Sequence, residues 1–425
     1  MSAALVLVLA VAVAYLAAHV AFDWLARRFL IVSGAEYLLL GLLLGPHVSG
    51  VLSTQVIEGF APLTTLALGW IGTIVGMQFY LPGLVRIPGL MYRLAFFEAL
   101  LTLGVVAGLL WTLLYHAFRL PLEQSVPPAI ALGAIAAVSA PAGIEMVARR
   151  LGTRGPMVRQ LQLATAIDAL VGVAAFGLLL AIRRPVEGAS GIAITPTEWA
   201  VISIGIGVIG GALFHLFLGD ETHIDRLFVA LAGAVILTSG AAAYLHLSPL
   251  FTSMIVGMML VNTSRNRDEI NITLAHAERP FYFVILVFAG ASWQPSISPW
   301  WIAPVILFLV ARVVAKIYGA RLGARVNGAL PAVGPHWGRA LLGQGGLALA
   351  LALNYLQLEA APLRNIVFTA AVASVLLTDV ASARFTRSVL SPLVGGGDAA
   401  RTETTESATV GTVEAAATAA REEGQ

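Results

Sequence analysis

Long apolar runs alternate along this chain with short polar stretches that hold most of its Arg, Asp, Glu and Pro. Thirteen such runs lie near 3–22, 35–53, 60–80, 93–117, 126–147, 160–182, 197–218, 226–245, 248–263, 280–293, 299–321, 338–357 and 363–386. Most approach the ~20 residues a helix needs to cross a bilayer, and those at 248–263 and 280–293 are short. The short alternating strands of a membrane barrel are absent, so helices are the remaining way to satisfy backbone groups in lipid. The pattern predicts an all-α integral membrane protein with about 13 transmembrane helices. After residue 391 the chain turns small, polar and mildly acidic, without aromatic residues. That stretch, 392–425, is expected to be a disordered cytoplasmic tail.

Composition agrees with the pattern. The chain is 58% hydrophobic and 11% charged, whereas soluble domains carry about 25% charged residues. There is no cysteine, which excludes a disulfide scaffold and thiolate metal sites. The first run lacks a basic segment before it, and Arg27 and Arg28 follow it. It therefore reads as a first span with its N-terminus outside, not as a cleaved signal. If all thirteen runs cross, the loops on one side collect most of the arginines, including Arg86, Arg93, Arg149, Arg150, Arg159, Arg325 and Arg387. The other side receives only Arg119, Arg183, Arg184 and Arg364. The arginine-rich side is the cytoplasmic one by the positive-inside rule, which also puts the C-terminus in the cytoplasm.

Thirteen spans divide as six, one and six. The division predicts inverted-topology repeats over about 1–182 and 226–391, joined by a linking helix at 197–218, in one transmembrane domain spanning 1–391. Equivalent spans should break at equivalent places. Span five contains "AVSAPAGIEM", with Pro141 and Gly143 at mid-depth, and span twelve contains "GRALLGQGGLALALAL", with Gly345 and Gly346. Matched interruptions in two halves point to crossing broken helices around a midplane site.

Two charged residues share that depth. Asp168 stands in the apolar run "QLQLATAIDALVGVAAFGLLLAI", and Lys316, the sole lysine among 25 basic residues, stands in "VARVVAKIYGARLG". Lysine can release its proton when desolvated and arginine cannot, so Lys316 suggests proton chemistry. An ionisable group inside a span is by default a functional-site hypothesis; the plainer reading is an ion pair that staples two helices. Glu98 lies deep in "RLAFFEALLTLG" and is a secondary candidate. Other acids, Glu145 and Asp379 among them, fall nearer the predicted span ends, where solvent or arginine can serve them. The eight histidines show no metal-ligand spacing, and no nucleophile or phosphate-binding motif appears. Neither an enzyme nor a resident metal or cofactor is expected. The stretch "RNRDEINITLAHAER" reads as a solvated cytoplasmic loop or an amphipathic surface helix.

Over about residues 1–390 the chain resembles the monovalent cation/proton antiporter superfamily, the sodium/proton and potassium/proton exchangers. The resemblance rests on "GAEYLLLGLLLGPHVSG", "LSPLFTSMIVGMMLVNTSRNRDEI" with "RPFYFVILVFAGASW", "ARVVAKIYGARLGARV" and "GRALLGQGGLALALAL", in family order. It implies a dimerisation domain, a mobile core domain, a homodimer, and exchange of Na+ or K+ for H+ by alternating access. Its partners would be the cation, the proton and the lipid bilayer of the cell membrane, without nucleic acid.

The match departs from the family pattern at three polar positions. The core pair reads Ile167-Asp168 or Asp168-Ala169, so Asp168 is either the ion-binding acid with its partner lost or the lysine-pairing acid with Ala169 in place of the ion binder. Ser139-Ala140-Pro141 carries alanine at an acid position, and Leu347 follows Gln-Gly-Gly where one branch has glutamate. The exchange mechanism expected from these residues has Asp168 binding the cation, Lys316 competing for it, and Ser139, Thr165 and Gln344 supplying neutral oxygen ligands. Two further readings stay open: a sensor or binding protein on the same fold without exchange, and a transporter of an organic anion.

Overall fold

The computed structural model describes residues 35–153, 155–183, 194–218, 224–264, 267–294, 299–358, 362–379 and 381–391. The expected first span at 3–22 and the expected tail at 392–425 lie outside the described residues. The major helices are α1 (Ala35–Leu44), α2 (Ala61–Met77), α3 (Gly89–Thr112), α4 (Leu122–Ala137), α5 (Pro141–Arg150), α6 (Pro156–Ile182), α7 (Pro196–Leu218), α8 (Ile224–Tyr244), α9 (Pro249–Thr263), α10 (Arg267–Ala291), α11 (Ile302–Val326) and α12 (Gly345–Leu356). They are followed by α13 (Arg364–Asp379) and α14 (Ala381–Ser391), which meet at 48°. No strand occurs among the described residues.

Each of the twelve described apolar runs holds helix. Among the described residues seven helical segments are long and apolar enough to cross a membrane, α2, α9 and α12 are shorter, and α13 with α14 passes as one bent span. Prolines mark several starts. Pro141, Pro156 and Pro249 each sit in the first turn of their helix, where the missing N–H costs nothing and the fixed φ suits the helix. Ser248 caps α9 by accepting from the N–H of Phe251 at 3.2 Å, which satisfies one orphan donor.

Of the loop and the amphipathic helix open to "RNRDEINITLAHAER", the helix forms: most of the stretch is the first half of α10, which runs on through Pro280. The physical reason is its spacing: Ile270, Thr273 and Leu274 fall on one face at helical intervals, and all three are buried. The polar residues between them disguise a helix that packs its apolar stripe inward.

The helices pack in two groups. In one, α2 lies against α9, α10 and α8, α1 lies against α10, and α7 lies against α8 and α9. In the other, α3 packs on α4, α6 and α11, α4 also touches α12, and α5 lies on α6. Contacts of α6 with α7 and of α10 with α12 join the groups.

Two crossings in the first group are alike in detail. On α1 and α10, a Cβ at Gly41 would collide with the carbonyl of Val287, and one at Gly290 with that of Leu38. On α9 and α2, a Cβ at Gly257 would collide with the carbonyl of Thr73, and one at Gly76 with that of Met254. In each case the blocked carbonyl belongs to the residue three positions before the partner's glycine. Glycine alone permits such backbone contact between membrane helices.

Candidate functional site

The second group holds two helices that stop in mid-course. Helix α4 ends at Ala137, Val138 is extended at φ −65°, ψ 136°, and Ala140 is extended at φ −89°, ψ 119° before α5 starts at Pro141. Pro141 enforces the break, because its ring disfavours helical conformation in the residue before it. In the other segment a 3-10 turn at Trp337–Leu341 gives way to an irregular stretch, and α12 begins at Gly345 with φ +63°. A left-handed φ is open to glycine without strain. A Cβ at Gly345 would also stand 2.9 Å from that of Ala140, so this glycine lets the two breaks touch.

Touch they do. Ala140 donates its N–H to the carbonyl of Gly343 at 2.8 Å, and the Ser139 hydroxyl donates to the carbonyl of Leu341 at 2.8 Å. The Gln344 side chain donates Nε2–H to the carbonyl of Ile135 at 2.9 Å. Interrupted helices leave backbone groups without intrahelical partners, and here each segment supplies partners for the other.

Helix α11 supplies the rest. Arg312 and Lys316 stand four residues apart, on one face, and both are fully buried. Arg312 donates to the carbonyl of Leu342 at 2.8 Å and to that of Val138 at 3.2 Å, bridging the two breaks. Lys316 Nζ donates to the carbonyl of Ala137 at 2.7 Å, to Asp168 Oδ2 at 2.8 Å and to Glu98 at 3.1–3.2 Å. Glu98 Oε1 in turn accepts from the Thr102 hydroxyl at 2.8 Å. Two cations thus rest on the C-terminal carbonyls of α4 and of the 3-10 turn, where the helix dipole is negative. Lys316 also meets two carboxyl groups.

A cavity of about 740 Å³ lies on the other side of the breaks. Ser139, Pro141, Gly143, Thr165, Ala169, Gln344, Gly345, Gly346 and Asp379 line it, and Glu145 and Glu278 stand farther along. The structure therefore brings all five expected site residues to the region of the breaks but divides them. Ser139, Thr165 and Gln344 face the cavity, while Asp168 and Lys316 lie behind it, fully buried and outside its lining. The Thr165 hydroxyl donates to the carbonyl of Gln162 at 2.8 Å. The residue that α6 presents to the cavity beside Thr165 is Ala169.

Three residues carry more of the site than sequence reasoning assigned them. The sequence alone assigns Arg312 no role, and its four-residue spacing from Lys316 is the signal that points to it. Glu98, ranked second, is a direct partner of Lys316. The apolar pattern puts Asp379 near a solvated span end, but it is 3% exposed and its Oδ1 accepts the backbone N–H of Gln344 at 3.1 Å. Its depth depends on where the bend between α13 and α14 falls, which no local pattern announces.

Crossed, interrupted helices with buried charges at the crossing are the architecture of a multi-pass secondary transporter. The chain belongs to the family described as "Sodium/hydrogen exchanger, transmembrane", whose pattern matches residues 35–386. Among solved structures it is similar to the sodium proton antiporter MjNhaP1 from Methanocaldococcus jannaschii at pH 8, with 18% identity and a TM-score of 0.64, covering 91% of this chain and 99% of that one. An electron-microscopy structure of the same antiporter matches with 16% identity and a TM-score of 0.58, over 91% of this chain and 97% of that one. At such identities the likeness speaks for the fold. No curated protein sequence matches the chain.

Proposed function

We propose that this chain exchanges a monovalent cation, Na+ or K+, for H+ by alternating access, as a homodimer in the cell membrane with its N-terminus outside and its C-terminus cytoplasmic. One observation carries the reading. The charged side chains buried among the described residues are Glu98, Asp168, Asp379, Arg312 and Lys316. Two of these carboxyl groups, Glu98 and Asp168, share the single ammonium of Lys316 at 3.1 and 2.8 Å, so two acids draw on one hydrogen-bonded cation. Uncompensated charge in a dry interior is costly. Either a proton or an alkali ion makes up the deficit, and the two compete because a second added charge would again leave an excess. In this proposal Asp168 and Lys316 hold the exchangeable proton, and Ser139, Thr165 and Gln344 offer neutral oxygens to the cation.

The cavity supports alternating access. Gln78, Glu145 and Thr386 of its lining fall on the cytoplasmic side of the apolar runs that hold them, as the arginine bias orients those runs, and Glu278 stands just before the run at 280–293 on the same side. The matched glycine crossings support the inverted repeats over about 1–182 and 226–391. A two-fold relation that carries α1 onto α9 also carries α10 onto α2, and turns the Gly41–Gly290 crossing into the Gly257–Gly76 crossing. In such transporters one group of helices rocks against the other around a fixed site.

Cation uptake driven by a pH gradient into proteoliposomes tests the reading. Wild-type protein should exchange at least one of Na+ and K+, and Asp168→Ala should not. Equal flux from both proteins would refute it.

A further inference from the structure

We propose that Asp379 and Gln344 together form the docking site for the transported alkali cation, separate from the proton-holding pair. The inference rests on the exchange reading above and names the site where the cation sits.

Position comes first. Asp168, the acid that the sequence offers as a cation ligand, does not line the cavity and is held by Lys316 at 2.8 Å. Its neighbour toward the cavity, Ala169, has no ligand to give. Asp379 does line the cavity, together with Gln344, Ser139, Thr165 and Ser382. A cation entering by this route meets the carboxyl group of Asp379 without passing the ammonium of Lys316.

The second observation concerns Gln344. Its Nε2 is fixed on the carbonyl of Ile135 at 2.9 Å, which sets the orientation of the amide. Its Oε1 is buried and has no hydrogen-bond partner. A buried amide oxygen is rarely left so, and each case calls for an explanation. A cation at this oxygen supplies one, because hard alkali and alkaline-earth ions take oxygen ligands from carboxylates and amide carbonyls.

The two ligands are also held to each other. Asp379 Oδ1 accepts the N–H of Gln344 itself at 3.1 Å, so the carboxylate and the amide start from one anchoring point. A Cβ at Gly343 would come 3.1 Å from Ser382 Cβ and 3.7 Å from Asp379 Oδ1, so the glycine lets that acid and serine close on the break.

The test uses the full chain, purified in detergent and then reconstituted. Calorimetric titration with LiCl, NaCl and KCl reads binding, and pH-gradient-driven uptake reads exchange. Asp379→Asn should weaken cation binding and raise the KM for the cation about tenfold or more, with an unchanged melting temperature in cation-free buffer. Asp168→Asn should lose pH-driven exchange and lose less of the binding heat than Asp379→Asn does. If Asp379→Asn fails to fold, Gln344→Met removes the orphan oxygen at similar volume and should show the same rise in KM. Wild-type binding and KM in a folded Asp379→Asn, or in Gln344→Met where that variant stands in, would overturn the inference while leaving exchange intact. Loss of binding in Asp168→Asn but not in Asp379→Asn would overturn it too. Wild-type protein that neither binds nor exchanges any of the three ions overturns the exchange reading, and this inference with it.

Discussion

The N–H of Ala140 donates to the carbonyl of Gly343 at 2.8 Å, joining two chain segments about 200 residues apart at the one place where each stops being a helix. Around this bond the freed carbonyls of Ala137, Val138 and Leu342 are taken by Lys316 and Arg312. Two positive side chains thereby sit deep in an apolar bundle with backbone oxygens and carboxyl groups about them. Stability and chemistry share these contacts, and substitutions should separate the two.

Lys316 serves both. Lys316→Ala leaves Glu98, Asp168 and the Ala137 carbonyl without their shared donor, and breaking a buried pair costs about 3–5 kcal/mol. The melting temperature in detergent should fall sharply. Lys316→Arg keeps the charge but cannot release a proton, so it should retain more of the fold than alanine while cation/proton exchange drops about tenfold or more.

Arg312 should behave differently. It bonds the two breaks through carbonyls alone, at 2.8 and 3.2 Å. Arg312→Met fills similar volume but abandons both acceptors, at about 1.5–3 kcal/mol for each bond to a charged group. Arg312→Lys, with a single point charge, should recover part of that loss in a thermal melt, because one ammonium cannot reproduce the planar fork.

Gly345→Ala tests the contact of the two breaks. Its φ of +63° costs an L-residue about 1–2 kcal/mol, and the new methyl meets Ala140. The expected result is a lower melting temperature and slower flux, with Gly345→Asn milder in backbone strain than alanine because asparagine tolerates that φ better.

Gly76→Ala probes a place far from the charges. Its Cβ would strike the Met254 carbonyl, and overpacking of this kind costs about 1–3 kcal/mol. Gly290→Ala, at the matching crossing of α1 and α10, should cost a similar amount. A pair of unequal losses in thermal melts would count against the two-fold relation between the halves.

How far the site was legible can be judged residue by residue. Lys316 and Asp168 announced themselves because an ionisable group in an apolar run is rare and costly. The breaks were legible at Pro141 and Gly345 because proline and glycine act on the backbone locally. Arg312 was one helical turn from Lys316 and could have been paired with it. Asp379 could not, since its depth follows from a 48° bend and from the Gln344 N–H that reaches it.

By itself, then, the sequence determined that this protein lives in a membrane, that its runs of apolar residues form helices, and that two of them are interrupted. Those properties follow from hydrophobic length and from backbone chemistry, which act within a few neighbouring residues. Only the tertiary structure decided which carboxyl groups meet the ammonium and which face open space. Asp168 and Asp379 are the same kind of side chain in similar runs, and what distinguishes them is the distant partner each one reaches: Lys316 for the first, the break at Gln344 for the second.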